Sequence, residues 1–196
     1  MIRLSIYAFI LSLFGWSVLS GCSGSDSSTL TEEEKAAYME EGAAIVADAQ
    51  KILGGTLMKV ISDSGLIHAI DYCNLNASGI ATGISEKHGK TIYRRTLKAR
   101  NPENKAKGME KNMLKVFEFA EEKDAKFKPV VRFDESDSSV YYYAPIVVQT
   151  FCLQCHGTKD NGLARTTIEE IFKRYPKDKA FNYEAGDLRG MWVVEL

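Results

Sequence analysis

Cys152-Leu153-Gln154-Cys155-His156 sets two thiols at positions i and i+3, with an imidazole directly after the second. This spacing lets both thiols reach the two vinyl groups of one haem while the adjacent His binds the iron, which is the chemistry of c-type attachment. Two other readings use the same atoms. Cys152 and Cys155 could close as a redox disulfide, but such a pair favours the start of a helix after a strand, near the beginning of a βαβ pattern. Here the motif comes late, between a predicted strand and Gly157. Zinc could take Cys73, Cys152, Cys155 and His156 as a closed Cys3His set, yet no second CxxC pair accompanies the motif and Cys73 is far away in sequence. One covalently attached haem c is the reading adopted, with His156 as its proximal ligand.

The remaining axial position is open to fewer residues. His68 falls on the polar side of its predicted helix, and His88 lies in a charged, Gly-flanked helix end that predicts a surface position. Met58, Met113 and Met191 read as core fillers, the common use of Met. Cys73 is different. Leu66, Ile70, Cys73, Ala77, Ile80 and Ile84 recur at spacings of 4, 3, 4, 3 and 4, which places Cys73 on the buried face of an amphipathic helix. Periodicity suits an inert packed thiol and an iron ligand equally.

The fourth cysteine belongs to an export signal. Arg3 precedes an apolar stretch from Leu4 to Leu19, and Leu19-Ser20-Gly21-Cys22 resembles a bacterial lipobox. The expected organisation is a signal peptide over 1–21, a lipidated tether over 22–30 and one domain over 31–196, with Cys22 lipidated and the protein anchored on the periplasmic side of a bacterial membrane. Ser23 after Cys22 favours the outer membrane. Export agrees with covalent haem attachment, which in bacteria takes place outside the cytoplasm.

The elements that must position these residues follow from the rest of the chain. Its 196 residues carry 25 Lys+Arg against 26 Asp+Glu, and 45% are hydrophobic. That balance excludes the basic footprint of a nucleic-acid binder, and the apolar content excludes a disordered chain. Thr31 to Glu34 forms a capping box that opens a helix, Ser62 to Gly65 breaks it, and a second helical stretch ends at Gly89. Residues 91–97 predict a strand, and 109–120 a helix with Met113, Val116, Phe117 and Ala120 on one side. Strands are expected over 130–133 and 140–148, and a short helix over 167–175. Gly186 to Gly190 is expected to turn into a terminal strand over 191–196. Helices first and a small antiparallel sheet afterwards make the fold class α+β.

Four segments together resemble the PAS-like c-type haem sensor domains once classed as a domain of unknown function. They are Ala69-Ile70-Asp71-Tyr72-Cys73, residues 95–104 (RTLKARNPEN), Cys152-Leu153-Gln154-Cys155-His156-Gly157 and Gly186-Asp187-Leu188-Arg189-Gly190. The resemblance covers about residues 35–196. It implies a PAS-like antiparallel sheet flanked by helices, a long N-terminal helix and His/Cys axial ligation, so that Cys73 becomes the distal ligand beside proximal His156. Arg95, Arg100 and Arg189 could pair with the haem propionates, since a guanidinium pairs bidentately with a carboxylate, although loop structure is the preferred reading of Arg100.

The function expected is that of a lipid-anchored redox or diatomic-gas sensor, open to CO or NO, that signals through an unknown partner protein. The alternative is a periplasmic electron-transfer cytochrome with a redox partner. No catalytic acid–base set or phosphate loop stands out, so the chain is not expected to be an enzyme.

Overall fold

The computed structural model describes residues 30–196. The signal segment, Cys22 and the tether up to residue 29 lie outside the described residues, as does the side chain of Ala77. The fold is α+β: helix α1 (Glu32–His88), strand β1 (Thr91–Arg95), helix α2 (Gly108–Glu122), strands β2 (Val130–Asp134) and β3 (Ser139–Val147), short helix α3 (Leu153–His156), helix α4 (Arg165–Arg174) and strand β4 (Leu188–Glu195). The strands form one antiparallel sheet in the order β1-β4-β3-β2.

Helix α1 starts at the expected capping box. Thr31 Oγ1 accepts from the Glu34 amide, and the Thr31 amide donates to Glu34 Oε2 at 2.9 Å. It ends at Gly89, whose φ of 63° is left-handed. Between those ends it reverses direction. Lys87 Nζ and His88 Nε2 lie 2.6 and 2.8 Å from Asp48 Oδ2, whereas residues 48 and 88 of an unbroken helix would be about 60 Å apart. The one non-helical residue between them is Gly65, at φ 82° and ψ 169°. The long helix is therefore an αα-hairpin with limbs 32–64 and 66–88, and the return limb carries Cys73. His88, expected at the surface, is half-buried because the reversal brings it against Asp48.

Gly65 occupies a backbone region that residues with a Cβ enter only at a cost of about 1–3 kcal/mol. A Cβ there would meet nothing within 4 Å, so the cost is purely one of backbone conformation. Gly65→Ala should therefore lower the unfolding free energy by about 1–3 kcal/mol in denaturant titrations. An unchanged midpoint would mean that the turn readily adopts another conformation.

The hairpin covers one face of the sheet. Ile45, Val46, Ala49 and Ile84 pack on Ile92, Val131, Val140, Tyr142, Trp192 and Val194. Gly42 makes this approach possible: a Cβ there would sit 2.2 Å from Tyr142 Cγ. The opposite face is covered by α2 through Met113, Leu114 and Phe117, which meet Tyr143, Met191 and Val193. Side chains alternate between faces along each strand. Accordingly β4, with both neighbours paired and both faces covered, buries Met191, Trp192, Val193 and Val194 in succession.

Two expectations shift. Val116 is 54% exposed while Leu114 is buried, so the inner face of α2 is rotated from the one predicted. The last strand begins at Leu188 rather than after Gly190, because Ile146 and Val147 of β3 extend the pairing to Gly190 and Leu188 across a register shift.

Candidate functional site

The site lies at the end of the sheet where β1 and β3 finish and β4 begins, a grouping set by the pairs Arg95–Met191, Ile146–Gly190 and Val147–Leu188. Leaving β3, the chain makes a 3-10 turn, Thr150–Cys152, that runs directly into α3. The motif is thus helical, where the sequence assigned no element between the strand and Gly157. Cys152 and Cys155 consequently project from the same side of a helical turn. Both are free thiols, as is Cys73. Among the described residues no three His, Cys, Asp or Glu side chains converge as a metal-binding group, so the closed zinc set is not assembled.

A strap over residues 178–183 holds the motif in place. His156 Nδ1 lies 2.8 Å from the Ala180 carbonyl oxygen. A carbonyl can only accept, so Nδ1 carries the proton and Nε2 keeps its lone pair, the arrangement of a metal-ligating His. The His156 carbonyl accepts from the Tyr183 amide at 3.1 Å, and that of Gly157 from the Asn182 amide at 3.0 Å. Tyr183 also sets its ring edge-on to the imidazole, with centroids 6.2 Å apart. Burial, then the charges of Arg189 and Arg100, push the His156 pKa well below its ordinary value, keeping the ring neutral at neutral pH.

Arg100 ties the strap to the motif. Its Nε donates to Asp178 Oδ2 at 2.8 Å, and an Nη donates to the Cys155 carbonyl at 2.6 Å. Asp178 in turn accepts from the Ala180 amide at 2.7 Å, which fixes the carbonyl that orients His156. Arg100 thus bridges the strap and the motif. The Asp178 side chain is 0% exposed and that of Arg100 14%, so Asp178→Ala would leave a buried guanidinium uncompensated at a cost of about 3–5 kcal/mol. A variant whose thermal unfolding matched the unmodified protein would show that solvent reaches Arg100 readily.

Cys73 sits on the return limb one turn beyond Ile70, which packs with Ile171 and Phe181 in a cluster that also contacts Cys155. Arg174 of α4 pairs with Asp71 and secures this limb beside the motif. Burial raises the Cys73 thiol pKa, while Arg94 and Arg100 draw it down. Burial likewise raises that of Cys155, with Arg100 lowering it and Cys73 near enough to raise it further. Cys152, Cys155 and His156 share one turn, and the return limb brings Cys73, remote in sequence, to the same end of the sheet.

The arginines divide differently from expectation. Arg95 does not face this site: it lies on the α2 side of β1, where its Nε donates to Glu110 Oε1 at 2.8 Å and its guanidinium stacks on Tyr93. Its neighbour Arg94 shares the opposite face with Ile92 and stands 5.6 Å above the Trp192 ring. Strand parity is the physical reason, and Ile92 was the available signal, since an apolar residue two positions away marks the inward face. Arg189 is at the site as expected, donating through Nη1 to Thr96 Oγ1 at 3.0 Å and the Lys98 carbonyl at 3.2 Å. Asp178, Ala180 and Tyr183 were missed. Ala180 and Tyr183 act partly through backbone atoms that carry no residue-type signature.

The domain is an antiparallel α+β fold with a helical hairpin on one sheet face and a thiol–thiol–imidazole turn at one sheet end. The chain belongs to the Tll0287-like family, whose model matches residues 26–196. Its fold is similar to that in the crystal structure of the cyanobacterial heme-protein Tll0287, with a TM-score of 0.60 and 23% identity over 85% of this chain and 96% of that one. No curated protein matches the chain.

Proposed function

We propose that the protein is a c-type haem-binding lipoprotein, anchored through Cys22 on the periplasmic side of a bacterial membrane, that senses redox state or a diatomic gas. The observation that carries this reading is the His156 tautomer: Nδ1 bonded to Ala180 leaves Nε2 available directly beside two free thiols on one helical turn. The donor set fits haem c, with Cys152 and Cys155 for the thioether bonds, His156 as proximal ligand and Cys73 as distal ligand. The similarity to a structure described as a heme-protein supports the same reading. Bound haem would supply a redox-active iron able to take CO or NO.

The chain's own residues then perform three tasks. The strap and Arg100 hold the imidazole plane and keep Nε2 unprotonated. The return limb holds Cys73 in an environment where the proton stays on Sγ unless positive charge faces it. The α1 hairpin joins that limb to the tethered N-terminal side of the domain. Sensing rather than catalysis is the role that these tasks serve, and the signal passes to a partner protein.

No helix among the described residues is long and apolar enough to cross a membrane. Attachment in this proposal rests on acyl chains at Cys22. The test is the visible spectrum of the chain expressed with a cytochrome c maturation system, oxidised and reduced. A Soret band with haem retained on a denaturing gel is expected. A mass equal to apoprotein plus zinc, with no Soret band, would overturn the reading. A midpoint potential far below those of common periplasmic donors would separate the sensor from an electron-transfer cytochrome.

A further inference from the structure

Three guanidinium groups converge on this end of the sheet, and a single carboxylate pairs with them. Arg94, Arg100 and Arg189 all act on the His156 imidazole, and Arg189 acts on Arg94 in turn. Asp178 claims Arg100. Arg189 donates to two neutral oxygens, Thr96 Oγ1 and the Lys98 carbonyl. Arg94 lies over Trp192, with the Cys73 thiol and the Tyr175 phenol in electrostatic reach, and among the described residues no carboxylate pairs with it or with Arg189. Both guanidiniums are half-buried, where an unpaired charge is costly and an opposite charge offsets that cost. The surplus here is two positive charges.

We propose that Arg94 and Arg189 form a clamp for the two carboxylates along one edge of a bound haem, each guanidinium taking one propionate. This rests on the haem-binding reading and deepens it. The assignment follows from charge and parity. Two propionates neutralise the two unpaired guanidiniums, and the planar fork of each Arg suits a carboxylate bidentately. Arg95, adjacent in sequence, is excluded by its position on the α2 face and its pairing with Glu110. The clamp also gives the haem a definite rotational setting, because one arginine comes from the end of β1 and the other from the start of β4.

The experiment is resonance Raman spectroscopy of the haem-loaded ferric protein at one pH, comparing the propionate-bending bands of the wild type with those of Arg94→Leu, Arg94→Lys, Arg189→Leu and Arg95→Leu. Arg94→Leu and Arg189→Leu should each shift a band, and Arg94→Lys should give a smaller shift because a point charge replaces the fork. Arg95→Leu should leave both bands in place. The midpoint potential should fall in Arg94→Leu and stay unchanged in Arg95→Leu. Should Arg94→Leu fail to fold, the Arg94→Lys comparison carries the same decision. Bands and potential that match the wild type in the Arg94 variants would overturn the clamp while leaving haem binding intact. A wild-type chain matured without haem would overturn the haem reading and the clamp with it.

Discussion

Cys152→Ala combined with Cys155→Ala is expected to abolish the haem-stained band of the denatured protein. The two thiols are the chain's only proposed covalent links to the cofactor, and they occupy one side of a single helical turn. Each single variant keeps one thioether and should retain a stained band of reduced intensity. The loss in the double variant should be complete rather than graded, because a coordinate bond from His156 to iron would not survive denaturation. Full-intensity staining in the double variant would refute attachment at this motif. Folding is a separate matter: Val148, Ala180 and Tyr183 are buried beneath Cys152 and Leu153, and alanine keeps part of that contact.

Cys73→Ser should eliminate a low-spin, thiolate-type ferric spectrum. Serine differs from cysteine by one atom and preserves helix geometry, so the change isolates the sulfur. In the protein's own environment the thiol is held above its ordinary pKa by burial, and Arg94 and Arg100 oppose that shift. The thiolate is therefore costly unless positive charge faces it, which makes Cys73 sensitive to the charge opposite Sγ. The reduced wild type is accordingly expected to bind CO, followed as a Soret shift. A ferric spectrum identical in Cys73→Ser and wild type would leave Cys73 as core packing and return attention to His68, His88 or a Met.

Much of this was legible because it is written locally. The Thr31–Glu34 box, the break at Gly65, the Gly89 cap and the apolar spacing that sets a half-buried Cys73 between Ile70 and Ile84 each depend on residues within a few turns. The CxxCH chemistry needs no fold to be recognised. What stayed hidden depends on contacts distant in sequence. The break at Gly65 announces an interruption, but only Asp48 meeting Lys87 and His88 reveals that the helix folds back. Gly42 reads as a helix weakener until Tyr142 is seen against it. Arg94 and Arg95 are chemically identical, and the choice between them is one of strand parity, fixed by β1 pairing with β4 nearly a hundred positions later. Asp178 looks like one more surface acid between two lysines until Arg100 reaches it.

The strand order has a consequence for how such a chain is made. β4 is the latest of the four strands in chain order, yet it occupies the gap between β1 and β3. A chain delivered N-terminus first cannot close its sheet until residues 188–195 arrive, because β1 and β3 have no ladder to one another. The motif at 152–156 emerges first, the strap at 178–183 next, and the last strand only after both. In the proposed haem-binding reading, attachment at Cys152 and Cys155 would be open to the chain before its last strand closes the sheet.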